Sequence, residues 1–242
     1  MKEPISIIIR SKNEEKTIKK TLAAIALQTI KPKEIILVDN LSSDRTASIA
    51  KSYGCKIVTI DEPFNHARSC NLGMEKAKSE IVAFLNGHAF LANATCLEKG
   101  LENFAEPKVA GVFGSQYTDE RASIWESIDN ALGQYSVTSF NRRNLKRYTS
   151  VGHYPGLMST ICAALRKSLW KKYPFDEKLS EDLGGGEDTD WGLHCIKLGY
   201  MIVQEPEFKA YHCHGENLQK FLQRRSGYGE INAGIKARYG IS

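Results

Sequence analysis

Four short runs of apolar, largely β-branched residues, at 5–9, 34–38, 56–60 and 81–85, constrain this chain most. Runs of that length and type are strands buried on both faces. Helix-length segments separate them: 16–28, with apolar Ile18, Leu22, Ile25 and Ala26, then 45–53 after a capping Ser43, then 66–76. The order β-α-β-α-β-α-β predicts an α/β fold, a mostly parallel, doubly wound sheet flanked by helices. In such a sheet the ligand crevice lies beyond the carboxyl ends of the strands. Polar side chains stand there in order: Arg10, Asn13 and Glu14 after the first run, Asp39 and Ser42 after the second, Asn86 and His88 after the fourth.

The second half is less periodic. An amphipathic helix is expected at 124–135, a basic loop at 141–148, and strands at 158–165, 201–203 and 208–212. With 242 residues the chain is long enough for one large α/β domain. Hydrophobic residues at 42% are ordinary for a globular protein, and no segment has the apolar length of a membrane span. The apolar run that follows Pro4 ends at Arg10, too short for a secretory signal, so a cytoplasmic protein is expected. Six cysteines without a Cys-x-x-Cys pair read as free, mostly buried thiols rather than a disulfide framework or zinc-thiolate cluster.

One turn is built to present a carboxylate: Gly184-Gly185-Gly186-Glu187-Asp188-Thr189-Asp190-Trp191. Three glycines open backbone conformations that other residues avoid. A helix expected at 189–198 would set Glu187 and Asp188 at its positive end, which favours the ionised carboxylate. The plain alternative is an N-cap without chemistry.

Several motifs resemble the inverting glycosyltransferases of family 2, rhamnosyltransferase-like members in particular. Ile5-Ser6-Ile7-Ile8-Ile9-Arg10-Ser11-Lys12-Asn13-Glu14-Glu15 resembles the family's opening strand and asparagine-glutamate turn, and Leu37-Val38-Asp39-Asn40 its second-strand aspartate. Phe64-Asn65-His66-Ala67-Arg68-Ser69-Cys70-Asn71 is similar to the arginine-asparagine helix before the metal strand, and Gly186-Glu187-Asp188 to the glutamate-aspartate motif. The resemblance implies a single-domain glycosyltransferase A-type fold over 1–242, with a nucleotide-binding half (1–115), an acceptor and catalytic half (116–216) and a basic helical segment (217–242). It implies sugar transfer from a nucleotide-sugar donor to a glycan or lipid-linked acceptor, as in bacterial surface-polysaccharide synthesis. Asp188 would be the general base, with Glu187 beside it, and the donor would be held by Arg10, Asn13, Glu14, Asp39, Arg68, Asn71, Asn86 and His88. Removing the proton of an attacking hydroxyl needs such a base, and the leaving diphosphate needs positive charge.

The chain departs from the family at one point. Where an aspartate-x-aspartate pair holds a divalent cation, it reads Asn86-Gly87-His88. A carbonyl and an imidazole suit Mn²⁺, Fe²⁺, Co²⁺ or Zn²⁺ better than Mg²⁺. His88 and His212 are the candidate metal ligands, with His214 as a third, since His212 and His214 share a face on strand alternation. Arg10, Arg68 or a protonated His88 supplying the charge is the alternative to a metal.

A net charge of +5 suits an anionic donor, yet much of the excess lies at 141–148 and beyond Leu218. Lys220, Arg224, Arg225, Lys236 and Arg238 beside Leu218, Phe221, Leu222, Tyr228 and Ile231 form a basic amphipathic pattern. Peripheral membrane contact and packing on the domain both accommodate it. Nucleic acid is not an expected partner, because no aromatic residues interleave with the basic clusters. A dehydrogenase is disfavoured by the lack of Gly-x-Gly-x-x-Gly after a strand. A nucleotidyltransferase is disfavoured by the lack of a glycine-rich loop at 10–15. A non-catalytic nucleotide- or glycan-binding protein derived from a transferase is the remaining alternative.

Overall fold

A computed structural model describes residues 4–136, 147–148 and 157–240. The elements, in chain order, are β1 (Ile5–Ser11), α1 (Ile18–Ala26), β2 (Glu34–Asp39), α2 (Thr46–Ser52), β3 (Lys56–Thr59), α3 (His66–Lys76), β4 (Ile81–Asn86) and β5 (Phe90–Leu91). Then follow α4 (Cys96–Glu102), β6 (Val109–Tyr117), α5 (Ile124–Ser136), β7 (Arg147–Tyr148), β8 (Cys162–Arg166), α6 (Lys167–Trp170), α7 (Glu177–Leu183), α8 (Glu187–Lys197), β9 (Met201–Tyr211) and α9 (Leu218–Tyr239).

One sheet runs through the molecule in the order β3-β2-β1-β4-β8-β6-β9-β5, with β7 paired to β9. Successive residues of β1 feed opposite layers, which is why the strand is apolar throughout: Ile7 and Ile9 join Leu22, Ile25 and Leu97 on one face, and Ile8 joins Ala67, Met74 and Trp191 on the other. All six cysteines are buried free thiols, as expected.

The sheet is mixed rather than mostly parallel. β3, β2, β1 and β4 are parallel neighbours, and so are β6 and β9. β8 runs antiparallel to both β4 and β6. The connection explains this. α5 lies against the rim end of β6, where Asn130 donates to the Gln116 carbonyl, and β8 begins at that same end, at Cys162 opposite Leu85. A crossover helix would have carried the chain to the other end and made β8 parallel.

The strand expected at 158–165 is therefore Cys162–Arg166, with 157–161 forming the rim. The two strands expected at 201–203 and 208–212 are one, β9, whose register against β6 jumps from Gly114–Glu205 to Ser115–Lys209. Pro206 lies in the slipped stretch and has no N–H to give the ladder. Of the basic loop expected at 141–148, residues 141–146 lie outside the described residues, and Arg147 and Tyr148 pair with Gln204 and Val203.

Register aligns the strand ends that matter. Ser11 pairs with Asp39 and Arg10 with Asn86. β6 and β9 end together at Tyr117 and Tyr211, and the His212 amide donates to the Tyr117 carbonyl at 2.8 Å. The Gly87–Ala89 turn crosses from the end of β4 to β5, which pairs with the end of β9. It thereby carries His88 over to the His212 side of the sheet.

Candidate functional site

Two clusters of ionisable groups share this rim. The first is the glycine turn. Gly184 closes α7 at φ +76°, and Gly185 and Gly186 follow at +153° and +89°. L-residues rarely adopt such values, so the turn depends on glycine. The next helix begins at Glu187, not at Thr189 as the sequence suggests, and Glu187 and Asp188 occupy its first turn. The free N–H groups of that turn explain the longer helix. The Thr189 amide donates to Asp188 Oδ1 at 2.8 Å, and Thr160 donates to Oδ2 from its amide at 3.0 Å and its hydroxyl at 3.3 Å. Asp188 is thus held by two segments while staying half-buried.

Glu187 is buried, 3.9 Å from Arg10 Nη1. Burial, then the neighbouring charge of Asp188, push its carboxyl up to about 7 against the opposing pull of Arg10. Asp188 is also raised, by burial, although the Thr160 bonds resist. Arg10 itself is buried, donating from Nη2 to Asn86 Oδ1 at 2.9 Å and lying 3.4 Å from His66 Nδ1. Burial and the Arg10 charge hold His66 down at about 4, so its Nδ1 is a neutral acceptor for Arg10 near pH 7. The sequence reading missed His66 and Thr160. Neither sits in a pattern that distinguishes it, and both are selected by what they touch.

The second cluster is histidine-rich. Glu14 Oε1 lies 2.5 Å from His88 Nδ1, and His88 Nε2 lies 3.0 Å from His212 Nε2. Ligand atoms of His88, His212 and His214 fall within 4.8 Å of one another. A carboxylate on Nδ1 fixes the Nδ1–H tautomer and turns the Nε2 lone pair toward the other rings, as carboxylates hydrogen-bonded behind metal-bound histidines do. Two Nε2 lone pairs cannot face each other at that distance, so a proton or a cation must lie between them. His212 is held well below the usual histidine range by burial and by His88 and His214, and His214 is lowered by burial and His88. Both are neutral at pH 7 and present lone pairs. Three imidazoles in reach of one point fit a borderline divalent ion. Gly87 makes the approach feasible, because a Cβ there would lie 2.8 Å from Glu14 Cγ and 2.9 Å from Ser11 Oγ.

Buried Glu126 holds the histidine-bearing strand end in place. Its carboxylate accepts from the amides of His214 at 2.7 Å, Gly215 at 2.9 Å and Glu216 at 3.3 Å, as well as from Ser123. Arg121 donates from Nη2 to the His88 carbonyl at 3.2 Å and is paired with Asp119. These supports also went unnoticed in the sequence. A cavity of about 210 Å³ opens beside them, lined by Gln116, Asn130, His212, His214, Arg224 and Tyr228 among others.

Asp39 ends β2, buried, and accepts from the Ser42 amide at 3.1 Å and the Ser42 hydroxyl at 2.5 Å. Asn13, at φ +54°, accepts from the Ser43 amide and donates its own amide to Ser42 Oγ, tying the loops after β1 and β2 together.

Two of the expected donor contacts are differently engaged. Arg68 pairs with Glu177 at 3.0 Å and Glu62 at 2.9 Å, in a groove of about 560 Å³ also lined by Asp61 and Glu75. Four carboxylates around one guanidinium are a poor setting for an anionic diphosphate. Asn71 is saturated by protein. Its amide donates to the Phe175 carbonyl and Glu177, and its carbonyl accepts from Trp170 Nε1 at 2.9 Å and the Phe175 amide at 3.1 Å. Its evident role is to fix the segment between β8 and α7.

Known proteins resemble this chain in sequence and in fold. Over 219 residues the chain is 28% identical to an O-antigen chain rhamnosyltransferase of Salmonella anatum, covering 87% of this chain and 66% of that protein. It is 26% identical over 235 residues to the O-antigen chain rhamnosyltransferase of Salmonella typhimurium, covering 95% and 72%. Among solved structures, the mannosyltransferase of Pyrobaculum calidifontis, in complex with GDP-Man and Mn²⁺, superposes with a TM-score of 0.74 at 18% identity, over 99% of this chain and 64% of that one. S. aureus TarS with UDP-GlcNAc gives a TM-score of 0.64 at 18% identity, over 88% and 59%. This chain thus spans about two thirds of the length of such relatives, and its fold is the glycosyltransferase A type. The profile of Glycosyl transferase family 2 matches residues 6–172, from the first strand through β8 and α6, and the chain belongs to that family.

Proposed function

We propose that the protein transfers a sugar, with inversion, from a nucleoside-diphosphate sugar to a hydroxyl of a glycan or lipid-linked acceptor, in bacterial surface-polysaccharide synthesis. The observation that carries this reading is Asp188: a half-buried carboxylate, anchored by Thr160 and Thr189, whose affinity for protons is raised by burial. The acceptor oxygen attacks the anomeric carbon from the face opposite the diphosphate. The bond to the leaving phosphate oxygen breaks with its electron pair, and the hydroxyl proton passes to Asp188. Glu187 and Arg10 set the charge around that base. Asp39 at the end of β2 would accept from the nucleoside, with Asn13 holding the adjoining loop. The saccharide of the acceptor would occupy the cavity beside His212 and His214, which offers amide, carboxylate and aromatic groups.

His88 and His212, with His214, would hold a divalent cation, with Glu14 orienting His88. When bound, such an ion neutralises charge on the leaving diphosphate. The P. calidifontis structure contains Mn²⁺ with its donor, which supports this assignment without fixing the metal here. No helix among the described residues is long and apolar enough to cross a membrane. We place the enzyme on the cytoplasmic side, where nucleotide sugars are made.

The test is a screen of UDP-, GDP-, CMP- and dTDP-sugars for stabilisation of the fold, followed by turnover of the stabilising donor in wild type and Asp188→Asn. Donor binding retained and turnover lost in the variant is the expected outcome. Binding without turnover in the wild type, across acceptors, would instead favour a non-catalytic binding protein.

A further inference from the structure

The basic segment after Leu218 forms α9, and its last turns pack against the glycine turn. A Cβ on Gly186 would lie 2.7 Å from Ile231 Cγ2 and 3.3 Å from Ile235 Cγ1, and one on Gly185 would lie 3.3 Å from Ile231 Cδ1. Ile235 is buried, in a small core with Leu179 of α7 and Leu193 of α8. The same end of α9 grips the first turn of α8. Asp190 is fully buried. It accepts from Tyr239 OH at 2.9 Å and Tyr173 OH at 2.9 Å, and it pairs with Arg238 Nε at 3.2 Å. Tyr239 OH also reaches the Asp190 carbonyl at 3.1 Å. Arg238 extends to Asp176, the N-cap of α7, at 2.9 Å. Both segments that flank the three glycines are thus fastened to one helix.

We propose that the C-terminal half of α9 is a positioning clamp for the base, with Ile231, Ile235, Arg238 and Tyr239 as positioning residues acting through Asp190 and the Gly184–Gly186 backbone. The physical need is plain. Three consecutive glycines leave the turn with large conformational freedom, and a base displaced by about 1 Å can lose on the order of 10²-fold in rate. Apolar contact on the glycines and hydrogen bonds to Asp190 remove that freedom from both sides. Tyr173 and Tyr239 stay protonated donors here, because burial and the Asp190 charge raise both phenols.

This inference rests on Asp188 acting as the base, so one arm of the test is independent of activity. Tyr239→Phe deletes the hydroxyl and keeps the ring, and Ile231→Ala removes the side chain that covers Gly186, with Ile231→Val as the conservative control. Hydrogen exchange at the amides of residues 187–190 should quicken by about tenfold or more in Tyr239→Phe and Ile231→Ala. The turnover number should fall roughly 10- to 100-fold, donor Kd should stay within about twofold, and Ile231→Val should restore most of the rate. Unchanged exchange in both variants would overturn the clamp, and so would losses of donor affinity and turnover in equal proportion. If Asp188→Asn transfers sugar as well as wild type, the base reading fails, while the exchange arm still decides whether α9 holds the turn.

Discussion

The two clusters at the rim are built from opposite charges and treated by burial in the same way. Around the glycine turn, burial raises Glu187 and Asp188 toward protonation. Around the Gly87 turn, burial lowers His212 and His214 away from it. In both cases the neutral form is favoured, because desolvation penalises charge of either sign. The consequences differ. A carboxylate with a raised pKa is a stronger base toward an incoming hydroxyl. An imidazole with a lowered pKa keeps its lone pair free for a cation. On the proposed reaction the contrast would separate proton chemistry from leaving-group chemistry across the rim, with the Arg10–Asn86 hydrogen bond between them.

The sharpest break would come at the carboxylates. Asp188→Asn should lower transfer roughly 10³-fold with donor Kd nearly unchanged by calorimetry, because the amide keeps the shape and loses the basicity. Equal loss of donor affinity would move Asp188 from proton transfer to binding.

Next in size is the histidine side. EDTA should suppress turnover and Mn²⁺ should restore it, and Glu14→Gln should weaken the metal about 10- to 100-fold by removing the carboxylate behind His88. Titration of Mn²⁺ against wild type and His88→Ala reads this without any acceptor. Full activity in EDTA would leave Arg10 and the histidines as plain hydrogen-bond donors.

The pH dependence distinguishes the clusters further. The acid limb of kcat should lie above the ordinary carboxylate range, since burial raises both Glu187 and Asp188. Turnover should decline as protons load the pair. Glu187→Gln removes the neighbouring negative charge and should shift the limb downward. The same raised carboxylates contribute most to stability below their unfolded values, and that contribution is lost as pH rises through about 7.

Smaller still is Asp39→Ala, expected to weaken donor binding by about 1–3 kcal/mol, the scale of a hydrogen bond to a charged group, with folding retained. Smallest in catalysis is Asn71→Ala. It leaves Trp170 Nε1 and the Phe175 amide without their acceptor. Stability should fall by about 1–3 kcal/mol in denaturant titration, with turnover per folded molecule near wild type. A selective loss of donor affinity would return Asn71 to the donor site.

Sequence legibility followed the range of the interactions. The parallel strands and their helices were visible because burial on two faces dictates unbroken apolar runs, as in Ile7, Ile8 and Ile9. Asp39, Asn86 and His88 could be expected near the crevice because they directly follow strands. The antiparallel course of β8 could not, since it depends on where the chain lies after β6.

The sequence by itself determined the alternation of strands and helices in the first half, the strand-end positions of Arg10, Asp39, Asn86 and His88, and the glycine turn that carries Asp188. Those are local consequences of apolar period, chain direction and the conformational freedom of glycine. Only the tertiary structure decided that His88 meets His212, 124 residues away, and His214, that Asn71 is spent on Trp170 and Phe175, and that the basic C-terminal helix packs on the glycine turn. Each of these is a contact between groups distant in sequence. Partners at that range are chosen by packing and desolvation in the folded chain, and no local pattern records them.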